Sequence, residues 1–423
     1  MNISALEAIL LFAFSIPVVM GYRILPIEGT PYWLFGILFL ILTSNIIFSL
    51  YPPVQKKIPG IARDSRNRIS EVLLWIVIAI VVGGTTMTAI VDRAKTAPVY
   101  GVHDIILQQE AAMRYLLSGK NPYKETYFGT AVEEFNYDEP GDTRAINPAL
   151  YHFVMPPWYL LFPFSIYFVS IPLLGYFDGR MALLVTMVGL LIVLWKWFKH
   201  RPLALLAVTL TALSPAVIDY FIEGRSDIFA LFWFVWSLFL LEKKRLFWSA
   251  VIFGLALMSK QTIWFSVPFL AAYLWFVTKN LRKIVSFFTV SGVMVLALAS
   301  PFLLWDPKAF IDSTIRFLSG TTQYNYPISG YGLGMVLNQL GIIRDIHAYY
   351  PFIIWQIVLG VPVLVMSLWW LSRKPMTSKV FIGYALTLSL FWYLSRYFNN
   401  SHIGYISSLF VLGILKSADE ETV

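Results

Sequence analysis

The chain contains no cysteine among its 423 residues, which excludes a disulfide framework, a thiolate metal site and a thiol nucleophile. Charge is scarce as well. Charged residues make up 13% of the sequence and hydrophobic residues 58%, whereas a soluble domain is about one quarter charged. That imbalance excludes an ordinary water-soluble domain. No P-loop, dinucleotide-binding glycine fingerprint, zinc motif or serine nucleophile elbow is present. The acidic stretch YFGTAVEEFNYDEPGD, Tyr127 to Asp142, lacks the spacing of a calcium loop and reads as solvated loop. There is no internal repeat and no low-complexity tract.

What is present is a series of apolar blocks of roughly 16 to 22 residues, the length that crosses a bilayer as a helix. The expectation is an all-α polytopic membrane protein with about twelve crossings, near 5–21, 32–50, 71–91, 180–198, 203–221, 226–241, 246–260, 262–278, 284–304, 351–371, 379–396 and 402–416. The first block lacks a basic leader and a cleavage site, so it reads as a retained helix. The net charge of +8 does not indicate nucleic acid, because the lysines and arginines sit between apolar blocks. They cluster at Gln55–Arg68, Lys196–Arg201, Glu242–Arg245, Lys279–Lys283 and Arg373–Lys379. With these crossings all five fall on one face, the cytoplasmic one by the positive-inside rule. That arrangement requires the proline-interrupted segment Met155–Phe177 not to cross. Both termini are then cytoplasmic, and two large loops, Asp92 to about Pro156 and Trp305–Tyr350, lie outside and contain short helices.

The first of these loops contains GVHDIILQQEAAMRYLLSGKNPY, Gly101 to Tyr123. Asp104 fits the N-cap of a helix from about Ile105 to Ser118. Glu110 and Arg114 fit a favourable i,i+4 pair, and Gly119 with Pro122 ends the helix. Two readings fit Asp104: an acidic cap, or a general base that takes a proton from a hydroxyl within hydrogen-bond reach. His103 is its neighbour. Asp92, beside Arg93, is the rival carboxylate, and an interfacial ion pair accounts for it. Asp306 and Asp312 read as loop caps.

The pattern E-A-x-x-x-L-L-x-G-x-N-P-Y, here EAAMRYLLSGKNPY, following an acidic residue beyond a transmembrane helix, resembles the first outer loop of the GT-C superfamily of membrane glycosyltransferases. MPPWYLL (Met155 to Leu161), FIEGRSDIFALFWFVWSLFLL, FGLALMSKQTIWFSVPFL and ASPFLLWDPKAFIDS with YPISGYGLGMVL are similar, in order, to later elements of that family. The branch most resembled contains polyprenyl-phosphate-mannose-dependent α-mannosyltransferases. The resemblance runs from about Val91 to the C-terminus. It implies two parts, an additional N-terminal helix pair over residues 1–70 and a GT-C-like catalytic domain over 71–423. Where the family often has Gly-Gln, this chain has Glu223-Gly224-Arg225-Ser226-Asp227.

Lys260 supports the comparison from its own chemistry. A helix ending there from Leu246 spans about 22 Å, less than the roughly 30 Å hydrocarbon core, so Lys260 and Gln261 fall in a recess. A lysine at that depth snorkels or meets an anion such as a lipid-linked phosphate. Glu223, Arg225 and Asp227 crowd the preceding outer turn, either as a solvated ion pair or with Arg225 on phosphate and a carboxylate on sugar hydroxyls. Arg396 and His402, in SRYFNNSHIGY, are secondary candidates, with headgroup anchoring the alternative for Arg396. The resulting expectation is transfer of a hexose, mannose favoured, with inversion, from a polyprenyl-phosphate donor to a glycan or glycolipid acceptor at the extracytoplasmic face. Asp104 acts as base and no cofactor or metal is implied. Aromatic side chains of TTQYNYPISGYG are placed to stack on sugars. The alternatives are a lipid-linked glycan flippase or other transporter, whose site usually lies near the midplane, and a structural membrane subunit.

Overall fold

The computed structural model describes residues 3–24, 31–50, 63–96, 99, 101–137 and 146–421. Apolar runs become helices because a backbone without water must satisfy its own hydrogen bonds. The elements that place the site are α1 (Ile3–Gly21), α2 (Tyr32–Leu50), α3 (Arg63–Ile78, continued by a π-helical turn Ala79–Gly84 and Thr85–Lys95), α4 (Asp104–Leu117), α5 (Pro157–Leu174), α6 (Arg180–Trp197), α7 (Arg201–Leu213), α8 (Ile218–Glu223), α9 (Asp227–Glu242), α10 (Leu246–Leu257), α11 (Val267–Thr278), α12 (Leu281–Trp305), α13 (Phe352–Arg373), α14 (Thr377–Tyr393) and α15 (Asn400–Glu421). Eight helices among the described residues are long and apolar enough to cross a membrane. The shorter apolar helices α7 and α10 lie among them. The protein is all-α and polytopic, and the only strands among the described residues are the two-residue pieces Ser329–Gly330 and Tyr397–Phe398, paired in parallel.

All twelve expected crossing segments are helical, with two changes of boundary. The 203–221 segment breaks after Leu213 and resumes as α8. The 246–260 segment ends as helix at Leu257, leaving Lys260 extended beyond a turn.

The helices order into a bundle with two polar ends. At one, Arg201 pairs with Glu71 (3.4 Å), His200 with Asp419 (3.1 Å) and Lys416 with Glu242 (3.3 Å). Trp197 donates to Glu242 (2.5 Å), and Ser378 to Glu420 (2.6 Å). The ends of α6, α9 and α15 and the starts of α3, α7 and α14 therefore meet there; we call it the basic end. The cluster Gln55–Arg68 lies outside the described residues up to residue 62. At the other end lie Arg93, Asp104, Asp227, Lys260 and Arg396; we call it the Asp104 end.

The segment Met155–Phe177 is helical as α5, with Pro157 in its first turn, where proline is tolerated, and Pro163 and Pro172 inside. By length and composition α5 is able to span, yet both its ends lie at the Asp104 end. Trp158 N–H donates to the Met258 carbonyl just before Lys260 (2.9 Å). Past α5, Phe177 folds back onto Tyr167 (ring centres 5.5 Å), and Gly179 N–H reaches Glu110 of α4 (3.0 Å). The chain enters and leaves this segment at one end of the bundle.

A single buried apolar core runs from Leu11 of α1 to Leu412 of α15. The N-terminal pair shares it: α1 packs on α2 and α7, and buried Thr209 donates to buried Glu7 (3.0 Å). Past α1, Tyr22 donates to Asp219 of α8 (2.9 Å), so the pair also braces the turn that carries Arg225.

Candidate active site

The site rests on a buried charge network. Arg93 lays a two-pronged guanidinium on Glu110 (2.8 and 2.7 Å) and reaches Asp178 (2.8 Å). Arg180 grips both oxygens of Asp178 (3.0 and 2.8 Å) and donates to the carbonyls of Gly101, Ile222 and Ala89. All four side chains are buried, two of each sign. Burial opposes charge on Asp178, but Arg180 and Arg93 outweigh it and hold the carboxyl below its ordinary range. Such a network is costly to break, because removing one member leaves a buried charge alone. It clamps α4 to α3 and α6.

This network replaces two expected pairings. Glu110 faces inward to Arg93, whereas Arg114 is exposed: the helical spacing was right for a pair, but the core captured the glutamate. Asp92 pairs with Arg23 (3.2 Å). Adjacent residues on a helix point about 100° apart, so Arg93 turns into the bundle while Asp92 stays at its rim.

Asp104 is the first residue of α4, and His103, extended at φ −77° and ψ 150°, takes the cap position expected for Asp104. His103 N–H donates to the Glu223 carbonyl (2.8 Å), which ties Asp104 to the Arg225 turn. Nδ1 of His103 lies 2.7 Å from one Asp104 oxygen, and Asn147 donates to the other (3.1 Å). A nitrogen–oxygen approach that short needs a proton between them, so we assign the Nδ1–H to Asp104; the Ile105 N–H, 3.3 Å from Nδ1, then has no lone pair there to bond to. Burial disfavours the Asp104 carboxylate, but His103, Asn147 and Arg225 prevail and lower its pKa to about 2.

Across the site, Lys260 Nζ meets Asp227 at 2.5 Å, both side chains being less than one fifth exposed. The 12 residues of α10 rise about 18 Å against a hydrocarbon core of about 30 Å, which leaves Lys260 in a recess. Arg225 lies on the Tyr220 ring (4.9 Å), and Glu223 approaches its Nε to 3.5 Å. Its guanidinium makes no hydrogen bond among the described residues, although the side chain is only 21% exposed. Arg225 and Asp227 head a narrow groove of ≈ 20 Å³ whose walls include Ala216, Ile228, Leu231 and Gly404.

The other expected residues are placed differently. Arg396 is buried and donates to the carbonyls of Tyr326, Ala348 (2.9 Å) and Ile346 (2.9 Å) and to the Asn325 side chain (3.0 Å). That set uses four of its five N–H donors on the 320–350 loop. Gln261 donates to the Val154 and Thr314 carbonyls (2.6 and 3.0 Å), joining two outer loops. His402 packs edge-on against Trp392 and accepts at Nδ1 from Asn399 N–H (3.0 Å); it feels the charges of Lys260, Asp227 and Arg225. Asp306 caps a short helix through Ala309 N–H (3.0 Å), and Asp312 binds Lys308 and Arg316.

Sequence reasoning did not single out Arg180, Asp178, Asn147 or Tyr159. Tyr159 is fully buried, and its hydroxyl has no hydrogen-bond partner. Burial and then the carboxylates of Asp227, Glu110 and Asp104 raise its pKa, so it is a protonated donor close to both halves of the site. The only sequence signals for these residues were charges inside apolar stretches and the Asn147-Pro148 turn.

No curated protein and no solved structure matches the chain. The family model Glycosyltransferase family 87 matches residues 156–412. The matched range takes in Tyr159, Asp178, Arg180, Arg225, Asp227, Lys260 and His402, and starts after α4 and Asp104. A family match over more than half of the sequence, on an all-α polytopic bundle, identifies this chain as an integral membrane glycosyltransferase of the GT-C type, a member of glycosyltransferase family 87.

Proposed function

We propose that this glycosyltransferase moves a hexose, with mannose favoured, from a polyprenyl-phosphate donor to a glycan- or lipid-linked acceptor at the extracytoplasmic face, with inversion. The observation that carries this reading is the unused fork of Arg225 at the head of an apolar-walled groove. A planar guanidinium matches phosphate oxygens, and the narrow apolar groove between α8, α9 and α15 marks the line along which these helices would part to admit the donor's hydrocarbon chain. Lys260 supplies a second cation, with one partner for its three protons. Asp227 orients that lysine.

In the reaction the acceptor oxygen attacks the anomeric carbon from the face opposite the phosphate. The bond from that carbon to the phosphate oxygen breaks, its electron pair leaves with the phosphate, and Arg225 with Lys260 stabilises the growing charge. The acceptor proton passes to Asp104. A carboxyl with a pKa of about 2 is a weak base toward a free alcohol. Proton transfer therefore comes late, once bond formation has made the attacking oxygen acidic.

The purified protein in lipid nanodiscs, given a panel of polyprenyl-phosphate hexoses, tests this directly. Release of polyprenyl phosphate from at least one donor, dependent on Arg225, is the expected result. Turnover of only nucleotide-linked sugars overturns the donor assignment.

A further inference from the structure

A second cavity, of ≈ 220 Å³, opens where the two outer loops meet. It is separate from the groove at Arg225 and shares none of its residues. Its charges balance. Lys124 pairs with Asp306 (3.6 Å), and Lys308 pairs with Asp312 (2.6 Å). An anion entering here meets two carboxylates, a cation meets two ammonium groups, and an apolar chain strips water from all four. A neutral ligand rich in hydroxyls meets donors and acceptors without such a penalty.

The walls carry two further features. Tyr151 lines the cavity and is held by stacking on Tyr324, with ring centres 4.0 Å apart and planes within 7°, a fixed aromatic wall that suits the apolar face of a pyranose ring. His152 contributes a lone pair of defined direction. Ser313 donates its hydroxyl proton to the Tyr123 carbonyl (3.0 Å), so its oxygen must accept from His152 Nδ1 (3.2 Å). The Nδ1 proton is thereby committed, and burial lowers the imidazole pKa and keeps it neutral. Nε2 is left as an acceptor.

The cavity is also tied to the reaction centre. One turn after Asp104, Gln108 donates to the carbonyls of Ala149 (2.5 Å) and His152 (2.8 Å), while Asn147 donates to Asp104 itself (3.1 Å). A single six-residue stretch, 147–152, is both the wall of the cavity and the partner of the carboxylate. We propose that this cavity binds the sugar acceptor, its ring over Tyr151 and one hydroxyl on His152 Nε2, presenting the reacting hydroxyl toward Asp104. The inference rests on the transfer reading above and adds to it the acceptor's class and place.

The test uses the full chain in nanodiscs with methyl hexopyranosides and short manno-, gluco- and galacto-oligosaccharides as probes. Saturation-transfer NMR reads their binding, and steady-state assays read acceptor and donor KM. His152→Phe and Tyr151→Ala are expected to raise the acceptor KM about tenfold, the loss of roughly one hydrogen bond or stacking contact, with the donor KM unmoved. His152→Gln, which keeps an acceptor atom, should recover part of the loss. An unmoved acceptor KM, an equal rise in donor KM, or no saturation transfer from any glycoside overturns the cavity assignment. The two readings separate cleanly. Donor consumption with an unmoved acceptor KM sinks the cavity alone, whereas His152-dependent sugar binding without any donor consumption sinks the transfer reading alone.

Discussion

At the basic end of the bundle, Lys416 and Asp419 are 1% and 0% exposed, and the buried charges there answer one another. Lys416 bridges Glu242 and Asp419 (3.3 Å each), Asp419 also takes the backbone N–H groups of Lys199 and His200, and the Thr377 hydroxyl, with one proton to give, sits between Glu242 and Glu420. At the Asp104 end the inner layer is equally saturated, through Arg93, Glu110, Asp178 and Arg180. Above that layer the pattern changes: among the described residues the Arg225 guanidinium and the Tyr159 hydroxyl have no hydrogen-bond partner, and Lys260 has one carboxylate. Saturated polar clusters hold helices together. Incompletely satisfied ones, kept in place by a saturated layer beneath, leave hydrogen-bonding capacity for a substrate.

The comparison can be broken most forcefully at its two clamps. Arg93→Met and Lys416→Met each strand buried carboxylates and should cost about 3–5 kcal/mol of stability, read as a fall in thermal midpoint in detergent. Only Arg93→Met should also reduce turnover per folded molecule, because it alone holds α4. Equal losses of specific activity would erase the distinction between the ends. Next in size, Arg225→Ala should raise the donor KM about tenfold to a hundredfold, as loss of charge-assisted hydrogen bonds does. Arg225→Lys should restore only part of that, since a point charge lacks the fork. An unchanged donor KM would remove Arg225 from the phosphate site.

The smallest expected effect is on pH dependence. Asp104 has a folded pKa of about 2, below its ordinary 3.8. Its ionised form therefore stabilises the fold above the ordinary value, and that contribution fades as pH falls through about 2. Burial pushes this carboxyl upward and His103 is the first group that offsets it. His103→Gln should move the acid limb of the rate profile to higher pH, with the effect absent when Asp104→Asn is already present. A profile that does not move separates His103 from the carboxylate.

The apolar helices were legible because hydrocarbon thickness imposes a run length, and the clusters Lys196–Arg201, Glu242–Arg245 and Arg373–Lys379 marked helix ends that gather at one end of the bundle. The fold-back of Met155–Phe177 was legible from its prolines and from the charge of later loops, although the prolines did not prevent a continuous α5. The helix carrying Asp104 showed in its stop signal, Gly119 to Pro122. The partners of Glu110 did not show. Local spacing offered Arg114, while the actual partners Arg93 and Gly179 lie 17 and 69 residues away, a distance over which sequence carries no pairing information. Arg396 misled for a similar reason: an arginine between two crossings suits a phosphate, but the 320–350 loop presents four oxygens to it first. His152 gave no signal at all, since its role depends on which way one serine points.

The account stands on Asp104 receiving the acceptor's proton while Arg225 and Lys260 hold the donor. Asp104→Asn, assayed in one preparation for both donor binding and sugar transfer, separates these tasks most directly. Transfer should fall by about a hundredfold to ten-thousandfold, the usual share of a general base, with donor affinity unchanged. Transfer at the native rate, or donor affinity lost in step with it, would contradict the division of labour proposed for the two halves of the site.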